Sequence, residues 1–219
     1  MNEFDKIYAS NSWRAGSGIG SLAKRTTGYR KFIELFLQEN SIKSVVDYGC
    51  GDWQFSHLID WGEVKYIGVD VASAVIDANT RRYARKNVEF RLVDPHNLDL
   101  PSADLLISKD VIQHLSDEDV NLFLKKILPK YKYALITNCV WPESDLNTPI
   151  KTGGFRPLDI RRGPFNVGAT SVYSFDWQPR QNLLRVLLRR RAWTPWKKIV
   201  LLIDNSRSAS TIMTPTPAD

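Results

Sequence analysis

The clearest chemical pattern in the chain is Val45-Val46-Asp47-Tyr48-Gly49-Cys50-Gly51-Asp52-Trp53. An apolar run meets an acid and then turns through two glycines. A buried parallel strand ends this way when a ligand sits at its tip. Gly49 and Gly51 let the backbone turn tightly and let a ligand come close. A second apolar run ends at Asp70, the offset at which a carboxylate takes both hydroxyls of a nucleotide ribose. Farther on, Lys109-Asp110-Val111-Ile112-Gln113-His114 sets an imidazole four residues after an acid. His114 reads either as a general base whose ring Asp110 holds across a helical turn, or as a helix-start histidine that packs or caps. Lys109 is the cation next to it. Arg156 stands between Phe155 and Pro157. It reads either as a guanidinium fork for a phosphate or carboxylate on a substrate, or as a staple of its loop to its own backbone.

The glycine loop is not a dinucleotide loop. Gln54 occupies the place of a third glycine, and Asp47 and Asp52 flank the turn. Carboxylates a few Å from a diphosphate would repel it, whereas they suit a ligand carrying an ammonium and a sulfonium. From Val45 to about Asn138 the chain resembles the class I S-adenosylmethionine (SAM) methyltransferases, with the Asp47–Gly51 loop as their motif I. The resemblance implies that Asp94 meets the adenine amino group, although Asp94-Pro95 also reads as a plain turn starter. It also implies that Val71 and Pro95 adjoin the nucleoside, and that an N-terminal arm bearing Trp13 and Ser21 folds over the cofactor. Lys109 is carried along as both a cofactor contact and an acceptor-facing group.

Apolar spacing supplies the elements that position these residues. Helical periodicity covers 26–39, a helix runs through Phe55, Leu58 and Ile59, and others cover 73–85 and the stretch after Ser116. Strands are expected at 44–48, 65–70, 88–93, 103–108, 133–137, 171–177 and 199–203. The alternation predicts an α/β fold: a doubly wound, mainly parallel seven-stranded sheet with helices on both faces. The resemblance makes its last strand antiparallel. Residues 1–205 are expected to form a single domain. Within it, 1–25 is an irregular arm or lid, 139–170 a substrate loop and 180–198 a basic insertion, and 206–219 follow as a disordered tail.

The chain has 219 residues and a net charge of +6. Arg180, Arg185, Arg189, Arg190, Arg191, Lys197 and Lys198 carry +7 with no acid among them, which leaves −1 for the rest. The basic character is therefore one patch. It reads as the solvated face of a packed helix, as an attachment through 185–198 to an anionic membrane surface, or as a dock for nucleic acid or an acidic partner. Cys50 and Cys139 are too few for a disulfide framework. No apolar run reaches membrane-spanning length, so a soluble cytoplasmic protein is expected, one that can lie against the inner membrane face. His57, His96 and His114 lack metal-ligand spacing, and no metal is expected.

The expected function is SAM-dependent methylation, O-directed, of a small polar or glycan-like acceptor, including an anionic one, with His114 as base. A narrower similarity to bacterial methyltransferases of surface-glycan gene sets points the same way. The alternatives are an N-methyltransferase of RNA or protein and a SAM-binding module without catalysis. Ser108-Lys109-Asp110-Val111 stands where an amino-group methylase would carry Asn/Asp-Pro-Pro-Tyr/Phe.

Overall fold

The computed structural model describes residues 2–95, 97, 99–177 and 196–206. His96, most of the basic insertion and nearly all of the tail lie outside the described residues. Seven strands form one sheet: β1 (Ser44–Tyr48), β2 (Lys65–Asp70), β3 (Val88–Leu92), β4 (Leu105–Lys109), β5 (Tyr133–Cys139), β6 (Thr170–Trp177) and β7 (Trp196–Asp204). Their order is β3-β2-β1-β4-β5-β7-β6. β7 runs antiparallel to both its neighbours, and the other pairs are parallel.

β1 and β4 are mainly apolar and covered on both faces, so every residue from Val45 to Tyr48 and from Leu105 to Lys109 is buried, Asp47, Ser108 and Lys109 included. On one face, Tyr29, Ile33, Phe36 and Leu37 of α2 (Thr27–Glu39) pack with Val45, Leu105, Leu135 and Val200. α3 (Ser73–Tyr83) adds Ile76 to that layer. On the other face, α4 (Asp117–Leu122) and the wide turn Phe123–Ile127 set Val120, Phe123 and Ile127 against Val46, Leu106 and Ile136. Each such side chain is worth about 1.5–3 kcal/mol on burial. The strand order reverses between β1 and β4, and the crevice outside their carboxyl ends is the site such a sheet provides.

Two expectations need correction. The segment through Phe55, Leu58 and Ile59 is no helix but a single 3-10 turn, Ser56–Leu58. Trp61 donates its indole N–H to the Ser56 carbonyl at 2.8 Å, which takes an acceptor that a continuing helix would use. The arm is not irregular either, because α1 (Glu3–Ala9) opens it. Asn2 and Asp5 form a reciprocal capping box there, with Asp5 N to Asn2 Oδ1 at 2.8 Å and Asn2 N to Asp5 Oδ2 at 3.1 Å. No helix among the described residues is long and apolar enough to cross a membrane.

Candidate active site

The glycine loop joins β1 to β2 through Asp70. Asp70 Oδ2 accepts the Gly51 N–H and Oδ1 accepts the Ala72 N–H, both at 3.0 Å. Asn79 of α3 donates to the Gly51 carbonyl at 2.7 Å. Gly49 and Gly51 hold φ of +75° and +56°. A Cβ on Gly49 would overlap Val111, and one on Gly51 would overlap Ser17. Burial raises the Asp70 pKa against the pull of three backbone amides. Asp47, 6% exposed, does not hold the loop amides; Tyr66 donates its hydroxyl to Asp47 Oδ2 at 2.6 Å. Burial pushes the Asp47 carboxyl up to about 6, with Tyr66 and Lys109 pulling the other way.

The N-terminal arm folds over this loop. Asn2 donates to the Val71 carbonyl at 2.6 Å, and Asp5 accepts the Ser73 N–H at 3.1 Å. Ser17 Oγ accepts the Asp52 N–H at 2.8 Å, Asp52 Oδ2 accepts the Ser17 N–H at 3.1 Å, and Tyr8 shares a hydrogen bond with Ser17. Gln54, in place of a third glycine, donates to the Ala15 carbonyl at 2.5 Å. The departure from a dinucleotide loop is therefore an anchor for the arm. Trp13 stands 5.1 Å, centroid to centroid, from His114, with Phe4 and Tyr8 behind it.

At the end of β4 the expected Asp110–His114 pair does not form. Asp110 adopts φ +60° and donates its N–H to Thr137, so no helical turn runs from Asp110 to His114. Its carboxylate pairs instead with Lys109 at 2.6 Å and with Lys198 of β7, which holds the acid ionised well below the usual carboxylate range. Lys109 is buried above the rings of Phe55 and Tyr29, and desolvation lowers its pKa. The orienter of His114 is the Gly154 carbonyl, 2.6 Å from Nδ1. A carbonyl only accepts, so Nδ1 carries the hydrogen and Nε2 keeps a lone pair. Burial lowers the His114 pKa, against the Gly154 bond and the Asp110 charge.

A cavity of about 370 Å³ opens among these elements. It brings together Trp13, Ser21, Asp47, Gly49, Gly51, Asp70, Val71, Pro95, Lys109, Asp110 and His114. Asp94 is not among its lining residues; its neighbours Val93 and Pro95 are. Arg156 is not there either. It is 1% exposed, paired with Asp117 and bonded to the carbonyls of Thr148 and Leu115 at 2.9 and 3.0 Å. A guanidinium this enclosed cannot reach a substrate, so the stapling alternative is the correct one. Sequence reasoning missed Tyr8, Ser17, Asp119 and Thr152 in the lining; of these only Ser17 carried a signal, inside its glycine-serine run. The donor set suits SAM. Buried carboxylates at the ends of β1 and β2 face the cavity, the glycine loop gives close approach, and Lys109, the lysine of the lining, is paired with Asp110.

Residues 45–131 match the model of a methyltransferase domain family. No curated protein sequence matches the chain. Among solved structures, the methyltransferase domain of bacterial CtHen1-CN aligns with a TM-score of 0.54 at 14% identity, over 80% of this chain and 97% of that one. The magnesium protoporphyrin IX methyltransferase of Synechocystis PCC 6803, with bound S-adenosylhomocysteine (SAH), aligns at 0.52 and 13%, over 80% and 81%. The N-methyltransferase NodS of Bradyrhizobium japonicum WM9, in complex with SAH, aligns at 0.54 and 12%, over 83% and 87%. Against three further solved structures the chain spans 64%, 50% and 22% of their lengths. These likenesses show a common fold. Residues 45–131 thus resemble a methyltransferase domain, and the sheet around the cavity has the fold of the class I SAM-dependent methyltransferases.

Proposed function

We propose that this chain is a SAM-dependent methyltransferase that acts on a neutral hydroxyl of a small polar, glycan-like acceptor, with His114 as general base. The observation that carries the reading is the Nδ1–H bond to Gly154, which leaves Nε2, with only a long 3.4 Å contact to the Gln113 side-chain amide, as the proton acceptor of a histidine lining the cavity. SAM supplies an electrophilic methyl on its sulfonium. His114 Nε2 takes the hydroxyl proton as the oxygen gains the methyl. Trp13 and the arm exclude water from that proton transfer. An anionic acceptor loses its support. Arg156 is buried, Lys109 is spent on Asp110, and Glu3, Asp47, Asp70 and Asp119 also line the cavity. Methyl transfer from labelled SAM to a panel of neutral sugars, uronic acids and amines tests the reading. Turnover on a neutral hydroxyl that falls about 10²–10⁴-fold in His114→Gln supports it. Amine methylation that survives His114→Gln replaces it with N-transfer.

A further inference from the structure

The loop from Thr152 to Arg156 grips the segment 113–116 along its whole length. Gly153 N–H donates to the His114 carbonyl at 2.8 Å, and Arg156 N–H to that of Gln113 at 3.2 Å. Ser116 N–H donates to Thr152 Oγ1 at 2.9 Å, and Thr152 in turn donates to Asp119. Between these bonds the Gly154 carbonyl reaches the imidazole. Gly153 sits at φ +96°, where a Cβ would lie 2.6 Å from Glu3 Cγ, so this strip of backbone is also confined by α1. The guanidinium beneath it spreads its contacts. One terminal nitrogen meets Asp117 and the Thr148 carbonyl; the other meets the Leu115 carbonyl, one residue from His114. Phe165 packs under its plane at 5.6 Å.

We infer that Arg156, neutralised by Asp117, is a positioning residue for His114: it locks the 152–156 loop so that the Gly154 carbonyl selects the Nδ1–H tautomer. The inference rests on the proposed base role for its catalytic meaning, but its structural claim stands apart from it. The forked geometry matters here. A lysine ammonium is a point charge that can meet Asp117 but cannot also hold the Leu115 carbonyl from the same rigid plane. Without that second hold the Gly154 carbonyl can drift, and only the long 3.4 Å contact from the Gln113 amide to Nε2 then opposes a ring flip or the other tautomer.

The charged groups around the ring come from several elements: Asp110 and Lys109 at the end of β4, Lys198 on β7, Glu3 on α1 and Asp119 on α4. Arg156 belongs to none of these, so replacing it by lysine keeps both the buried charge and the field they make. A change at His114 then reports loop position.

The experiment uses the full chain without acceptor, labelled with ¹⁵N-histidine, and His114→Gln assigns the resonance among the three histidines. The wild type should show the Nδ1–H tautomer. Arg156→Lys and Asp117→Asn should each show a mixture with Nε2–H, and the His114 pKa should move up toward about 6.5 as water reaches the ring. SAM affinity by calorimetry should stay unchanged, because the glycine loop and Asp70 are untouched. A wild-type ring carrying Nε2–H overturns the inference. So does a folded Arg156→Lys protein with unaltered tautomer and pKa; if that variant fails to fold, Asp117→Asn decides by the same readout. Failure of the base reading shows separately, as full turnover in His114→Gln.

Discussion

Replacing Asp47 by asparagine should make the protein more stable at neutral pH and a poorer SAM binder. The carboxyl is 6% exposed and its pKa rises from 3.8 to about 6, chiefly through burial. In the unfolded chain it ionises near 3.8, so between that value and 6 the unfolded state sheds its proton first. Stability attributable to this group is complete below 3.8, falls as pH rises and is fully lost above 6. A shift of about 2 units at 1.36 kcal/mol each makes the ionised native site cost about 3 kcal/mol at pH 7.5. Asparagine keeps the volume and an oxygen that accepts the Tyr66 hydroxyl at the present 2.6 Å contact, but its new N–H group costs about 1 kcal/mol if it finds no acceptor. The expected net gain is about 2 kcal/mol at pH 7.5, or roughly 4–8 °C in melting temperature for a chain of this size. At pH 4 the gain should vanish. Urea unfolding of both proteins from pH 4 to 8 reads the slope, and calorimetry with SAM reads the loss of the carboxylate. The reasoning fails if the variant is no more stable at pH 7.5, or is equally stabilised at pH 4.

Three further predictions concern neighbouring parts of the site. Gly51→Ala forces a side chain into φ +56° and onto Ser17; it should cost about 1–2 kcal/mol from backbone strain and speed proteolysis between residues 10 and 20 as the arm lifts. Asp70→Ala removes the acceptor of the Gly51 and Ala72 N–H groups; it should abolish SAM binding by calorimetry and cost about 1–3 kcal/mol for each amide left buried. Burial lowers the His114 pKa, and a base must be neutral, so activity should hold down through pH 6.5 and fall only below it. An acid limb above that value in the pH–rate profile would contradict the assignment.

Much of the fold was legible because it is written locally. The runs 44–48 and 65–70 match β1 and β2, and the acids and glycines that end them reach one cavity because parallel strands bring their carboxyl ends together. Helix 26–39 showed its buried face in Tyr29, Ile33, Phe36 and Leu37. The turn at 56–58 did not show itself, since its hydrogen-bond competitor is the side chain of Trp61. α1 was hidden too: it is seven residues long with none fully buried, so Phe4, Ile7 and Tyr8 mark an apolar face for too few turns to read as a period.

The sequence by itself determined that a parallel α/β sheet ends in a glycine loop flanked by acids, with a second strand-end carboxylate, Asp70, about twenty residues on. Short-range sterics and strand periodicity suffice for that. Tertiary structure alone decided which partner each charged group obtained. Asp110 took Lys198, 88 residues away, instead of His114, and His114 took the carbonyl of Gly154, 40 residues away. Arg156, which reads equally well as a ligand for a substrate, was buried against Asp117. Such choices depend on which loops the packed sheet brings within 3 Å, and an ionised or polar group removed from water must take whatever partner the fold delivers.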